Sequence, residues 1–387
     1  MVFKTYKMND MKGKQGLVCM GLLLVLSSCH TGKQITASGL QRKDFQTEVN
    51  GQHTDLFTLS NKQGMEVCIT NYGARVVSIL VPDRNGKRED VVCGFSTITE
   101  YMEQRQNFGS TVGRYIGRIL NARFTLDGVE YKLVPNNGKS GHISHGGNPG
   151  FADRIWKVEQ ADTHRVRLSY LSPDGENGFP GNLKVTLVYS LGEDDNALDL
   201  TYEATTDAPT VLNLSHHSFF NISGNFTKSV EDQQLWVDAD RFTPYDDKKC
   251  VTGEYLPVAG TPLDFRMPHA IGECIDADHP QLKVVNGYDH TWKLNTKGDD
   301  TRPAAWVYDP ASGRKMEIFT TEPGMQIYTG NGLKGKMTGK RGIAYPFRSA
   351  VCFETMHFQD SPNQPGFPST VLRPGEVFRS HTVYKFE

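Results

Sequence analysis

Five short stretches of this chain carry side chains that could do chemistry. In Asn213-Leu-Ser-His216-His217-Ser-Phe-Phe-Asn221, two adjacent histidines sit in an apolar, strand-like run. Neighbouring side chains of a strand point to opposite faces, so only one of the two can face a given cavity. A histidine in a cavity titrates near neutrality and can give or take a proton there. In Ala350-Val-Cys352-Phe353-Glu354-Thr355 a carboxylate interrupts an apolar run, and burying a carboxylate is costly unless it has a partner or a task. Arg114 and Arg118 stand four apart before a hairpin, where a guanidinium fork can hold vicinal hydroxyls in a fixed orientation. His145 is followed by Gly146 and Gly147, and glycines let a backbone come close to a ligand. This stretch lacks GxGxxG spacing and opens no helix, which excludes a nucleotide loop. Gly287-Tyr288-Asp289-His290 adds an acid beside a histidine.

Each stretch also has a plainer reading. The histidines can be hydrogen-bonded structural residues, Glu354 can sit in a salt bridge to an arginine, and the arginines can form a solvated face. His142-x-x-His145 together with His217 and Glu354 would supply the donors of a metal-dependent hydrolase.

The elements that must position these groups are strands. Asn85-Gly86 and Asp127-Gly128 are hairpin dipeptides. Phe124–Leu126 and Val129–Tyr131 flank the second of them, while Val166–Tyr170 and Leu198–Ala204 alternate apolar and polar residues. Lys184–Leu191, Met316–Thr320 and Phe378–Phe386 read as strands too. One helix is expected, opened by the capping-box pattern Thr97-x-x-Glu100 and running through Gln106. Many short strands with frequent turn signals mean an all-β sandwich or barrel. Neither a repeat nor a composition shift marks an internal boundary, so residues 51–387 are expected to form a single domain.

The balance of 42 basic and 44 acidic residues leaves a net charge of −2, which argues against a nucleic-acid partner because that would need a clustered basic excess. Residues 1–28 read as a lipoprotein signal peptide. Lys12 and Lys14 precede the apolar run Leu17–Leu26, too short to span a bilayer. Leu26-Ser27-Ser28-Cys29 resembles a bacterial lipobox, which implies cleavage before Cys29 and lipidation of its thiol. Residues 29–50 then form a tether. The chain is expected in the cell envelope, facing the periplasm or on the outer membrane, touching membrane only through this anchor. Cys68, Cys93, Cys250, Cys274 and Cys352 remain; the number is odd and no pair has CxxC spacing, against a disulfide framework or a zinc site.

In order and spacing, the chemical stretches resemble the aldose 1-epimerases, or galactose mutarotases, from about Leu56 to Phe386. The family's GRYANRI…F.LDG stands here as Gly113–Ile119 with Phe124–Gly128. Its HGG…GF…W stands as His145–Gly147, Gly150-Phe151 and Trp156. Its NLTNHSYFNL is Asn213–Ile222, its G.DH is Gly287–His290, and its PG.Q.YTGN is Pro323–Asn331. Its ETQ..PD.PN.P.FP…L.PGE begins at Glu354 and closes at Glu376. The resemblance implies a large antiparallel β-sandwich, the galactose mutarotase-like supersandwich. It implies an isomerase that interconverts the α and β anomers of free aldoses such as glucose and galactose, with no cofactor and no metal. Carried over residue by residue, it makes His217 the general acid and Glu354 the general base, with Arg118, His145, Asp289 and Gln326 binding sugar hydroxyls. Two departures matter: Gly117 and His216 stand where the family has asparagine. By strand parity His216 faces away from His217, in a structural role. These roles predict a bell-shaped pH profile whose acid limb belongs to the carboxylate and whose alkaline limb belongs to the imidazole. Two readings on the same fold compete: a sugar-binding lipoprotein without activity, and an epimerase of a sugar phosphate or another aldose.

Overall fold

The structure, a computed structural model, describes residues 35–387. The expected signal peptide and Cys29 lie outside the described residues. All named strand pairs are antiparallel. The largest sheet has nine strands, in the order Lys157–Ala161, Arg165–Ser172, Leu183–Leu191, Ala197–Thr206, Phe378–Phe386, Lys315–Thr320, Ala305–Tyr308, Gln234–Val237 and His269–Ala270. A six-stranded sheet runs Phe219–Phe220, Val351–Met356, Gly324–Tyr328, Asp289–Lys293, Arg241–Thr243 and Leu256–Pro257. A four-stranded sheet is made of Leu56–Ser60, Glu66–Thr70, Arg75–Pro82 and Arg88–Asp90. Of the sandwich and barrel left open by the strand pattern, the sandwich implied by the family resemblance is present, and every strand read from the sequence is found. Asp127 and Gly128, both with positive φ, close the hairpin between Leu126 and Val129, as a two-residue primed turn requires.

One apolar core fills the space between the large sheets. Leu198, Leu200 and Tyr202 point into it from one side; Met325, Ile327, Phe353 and Trp292 point into it from the other. The two faces are also joined by polar contacts: Thr355 Oγ1 lies 2.7 Å from Thr382 Oγ1, and the Tyr384 hydroxyl donates to the Phe353 carbonyl at 3.0 Å. Because side chains alternate along a strand, residues 325, 327, 353 and 355 are committed to this core. Their neighbours 326, 328, 352, 354 and 356 must then point to the opposite face of the six-stranded sheet.

Three segments differ from the sequence expectation. The helix at Thr97 spans Ile98–Gln104, with the capping box formed and Arg105 ending it in a left-handed conformation. A second helix, Pro280–Val285, starts at proline behind His279, whose ring caps Gln281. Residues 35–50, expected to be part of a tether, pack against the body. Leu40 and Phe45 are buried, and both Glu66 carboxylate oxygens accept backbone N–H groups, from Ala37 and Ser38. Two apolar side chains and a paired carboxylate outweigh the entropy of leaving this segment free. Among the described residues no helix is long and apolar enough to cross a membrane.

Candidate active site

A cavity of about 250 Å3 opens on the face of the six-stranded sheet turned away from the large one. Glu354 and Gln326 are direct cross-strand partners on its floor. Thr291 is the partner of Gln326 on the next strand, and Asp289 pairs with Tyr328. His217 reaches the same cavity from another strand, Ser215–His217, which pairs with Ser110–Val112. Arg118 and Ser144, opposite one another in a short two-stranded ladder, close a further wall with His145.

His217 Nε2 lies 3.5 Å from Glu354 Oε1, with both residues buried. The imidazole is held on three sides. Phe219, which opens the next strand two residues on, stacks on it at 5.1 Å. His145 meets it edge-on at 5.5 Å, and Cys352 Sγ lies 3.6 Å from Nδ1. The expected parity holds: His216 turns toward the large sheet, against the rings of Tyr189 and Tyr384, with Nε2 at 2.6 Å from Ser218 Oγ.

Burial moves the acid–base pair in opposite directions. It lowers His217 to about 4. It raises Glu354 well above the usual carboxyl range; the Asp289 charge adds to this and Arg118 works against it. Both shifts favour the neutral forms, imidazole and carboxylic acid, which together hold one proton. These directions would put the imidazole on the acid limb and the carboxyl side on the alkaline limb, the opposite of the order expected from the sequence. His145 is lowered to about 3, mainly by burial and then by His217 and Arg118. It is therefore neutral, and its buried Nδ1 has no hydrogen-bond partner among the described residues.

The groups around the pair form a hydrogen-bonded polar wall. Gln326 Nε2 donates to Asp289 Oδ1 at 2.6 Å, and Thr291 Oγ1 donates to Gln326 Oε1 at 2.5 Å. Burial raises the Asp289 pKa, while Arg118 and the Gln326 hydrogen bond pull it back. The two arginines of the first stretch are split. Arg118 lines the cavity, whereas buried Arg114 donates to the carbonyls of Pro180, Gly181 and Ser172 and serves the fold. The glycines after His145 also serve packing: a Cβ on Gly146 would lie 2.0 Å from the Gly113 carbonyl oxygen. Thus all six expected site residues, His217, Glu354, Arg118, His145, Asp289 and Gln326, converge on one cavity. His142, the remaining member of the hydrolase set, does not join them. Its Nδ1 accepts the Asn121 N–H and its Nε2 faces Cys250 Sγ at 3.2 Å.

Sequence reasoning missed Phe219, Tyr328 and Gln359, which also line the cavity. Tyr328 was available from parity, being two residues from Gln326 on the same strand. Gln359 comes from an irregular segment that carries no periodic signal.

A polar cavity with one imidazole–carboxylate pair, walled by an arginine, an acid and amides, defines a protein for acid–base chemistry on a small hydroxylated molecule. Residues 55–385 match the sequence profile of the family described as aldose 1-epimerase. The galactose mutarotase of Sus scrofa is 39% identical over 330 residues, covering 85% of this chain and 93% of its own. The aldose 1-epimerase of Escherichia coli K12 is 36% identical over 340 residues, covering 87% and 96%. Among solved structures, an aldose epimerase homologue from C. elegans superposes with a TM-score of 0.79 at 31% identity, over 86% of this chain and 99% of that one. Galactose 1-epimerase from Lactobacillus acidophilus gives 0.76 at 28%, over 88% and 96%. The chain belongs to the aldose 1-epimerase family.

Proposed function

We propose that His217 and Glu354 carry the anomer interconversion of free aldoses in this chain. The chain has the family's isomerase activity; the assignment of roles rests on one observation, the 3.5 Å approach of His217 Nε2 and Glu354 Oε1. The reaction moves protons at two oxygens bonded to the same carbon, so its acid and base must converge on neighbouring atoms. Glu354 takes the proton of the C1 hydroxyl, and His217 gives one to the ring oxygen as the C1–ring oxygen bond breaks. The open aldehyde rotates about C1–C2. The steps then reverse: His217 recovers its proton from the chain hydroxyl that closes the ring, and Glu354 returns one to the new C1 hydroxyl. No electrons are gained or lost and no covalent bond to the protein forms. The single proton held by the pair is the number the cycle needs. Whether it starts on the carboxyl or on the imidazole is a shift within the pair. Each such transfer contributes about 10²–10⁴-fold.

Arg118, Asp289, Gln326 and His145 orient the sugar by its hydroxyls. The unpartnered Nδ1 of His145 is a group that a hydroxyl would satisfy. Glucose and galactose are the proposed substrates. Polarimetry of freshly dissolved α-glucose and α-galactose tests this directly: the approach to equilibrium should be much faster with the protein than without it. A folded protein that binds sugar and leaves the spontaneous rate unchanged would be the sugar-binding alternative.

We also infer that the chain is lipid-anchored at Cys29 in the cell envelope, on the basic, apolar and Leu-Ser-Ser-Cys order of residues 12–29.

A further inference from the structure

We propose that Gln359 is a positioning residue of the hydroxyl-binding wall and occupies the space that Gly117 leaves open. The inference rests on the aldose reading above and adds a residue to it. Gln359 follows the Val351–Met356 strand, lines the cavity and is 4% exposed. Its carboxamide is used at both ends. Nε2 donates to the Tyr245 hydroxyl at 2.7 Å and to Gln326 Oε1 at 3.3 Å; Oε1 accepts the backbone N–H of Arg118 at 3.3 Å. One side chain thereby links the two groups that grip the sugar, Arg118 and the Gln326–Asp289 pair. The link also orients Gln326. With Thr291 and Gln359 both donating to its Oε1, the Gln326 amide must present its NH₂ to Asp289.

Gly117 is what makes room. Its φ is +75°, and a Cβ there would lie 2.5 Å from Cγ and 3.1 Å from Cδ of Gln359. A side chain at 117 and the present Gln359 conformation exclude one another. The wall can therefore receive a carboxamide from position 359 or from position 117, but not from both. Asparagine is the side chain to test at 117, because it tolerates the left-handed region and carries the same amide.

The experiment is a double-mutant cycle on the mature chain, read as kcat and KM for anomer interconversion, with folding checked by circular dichroism. Gln359→Ala should raise KM about tenfold by removing the three neutral hydrogen bonds that hold Arg118 and Gln326 in place, with kcat within about threefold and the pH profile unmoved, since it touches neither proton-transfer group. Gly117→Asn alone should raise KM similarly, by displacing Gln359. Combined, Gly117→Asn with Gln359→Ala should bring KM back to within about threefold of the parent. Additive losses in the double variant overturn the proposal, as does unchanged KM in Gln359→Ala. If Gly117→Asn does not fold, Gln359→Ala and the near-isosteric Gln359→Met decide: both must raise KM, and a retained KM in Gln359→Met shows that the side chain only fills space. An inactive parent protein would instead overturn the aldose reading itself.

Discussion

His217 and Glu354 face one another at 3.5 Å although their strands are not hydrogen-bonded to each other. Ser215–His217 pairs with Ser110–Val112, while the Glu354 strand pairs with Phe219–Phe220 and Gly324–Tyr328. Packing at Phe219 and Cys352, more than any single ladder, sets the distance between imidazole and carboxylate.

Removing either proton-transfer group should stop turnover without unfolding the protein. Glu354→Gln keeps the shape and loses the base; His217→Asn keeps some hydrogen bonding and loses the titrating proton. Each should lower kcat by about 10²-fold or more. His216→Asn, on the opposite face, should keep kcat within severalfold. Loss of turnover in His216→Asn with retention in His217→Asn would exchange their roles.

The pH profile of kcat/KM should be a broad bell. Below about pH 4 the buried imidazole gains a proton and the pair carries two. Well above the ordinary carboxyl range the pair loses its last proton, from the Glu354 side. Both limbs report the coupled pair. An acid limb that persists in His217→Asn and disappears in Glu354→Gln would return it to Glu354.

Arg118→Ala and Asp289→Ala should act on binding. Each removes a charge-assisted contact to a sugar hydroxyl, about 1.5–3 kcal/mol, or roughly 10–150-fold in KM. Near-parental KM in both variants means that the sugar sits elsewhere.

The loop after Gly339 is fixed to the four-stranded sheet by a buried ion pair. Lys340 Nζ lies 2.6 Å from Asp90 Oδ2 and also donates to the Val77 carbonyl at 2.5 Å. Lys340→Met leaves Asp90 buried without its counter-ion and should cost about 3–5 kcal/mol of stability. Denaturant unfolding measures it, and a loss below about 1 kcal/mol would show that water reaches Asp90.

Lipidation at Cys29 should be visible as incorporation of labelled fatty acid, with the protein in the membrane fraction of its native host. Cys29→Ser should abolish the label and release the protein. A soluble, unlabelled parent protein refutes the anchor.

Strand period marked the class of fold, and the family resemblance carried by motif order named the six groups that meet in one cavity. Alternation along Leu198–Ala204 marks a one-sided strand, and the adjacency of His216 and His217 assigns them to opposite faces, because these are local properties of an extended backbone. Residue type likewise marks Glu354, since an acid in an apolar run has few stable uses. Tertiary structure alone decided the rest. Arg114 and Arg118 look equivalent in sequence, yet one is consumed by the carbonyls of a distant loop and the other enters the cavity. Leu40 and Phe45 join the body because the core offers them a surface. The protonation of the pair is decided by how deeply the sandwich buries it, and the partnership of Gly117 with Gln359 by two chain segments meeting in space. Desolvation and long-range contact depend on what the folded chain brings together, and no local pattern encodes them.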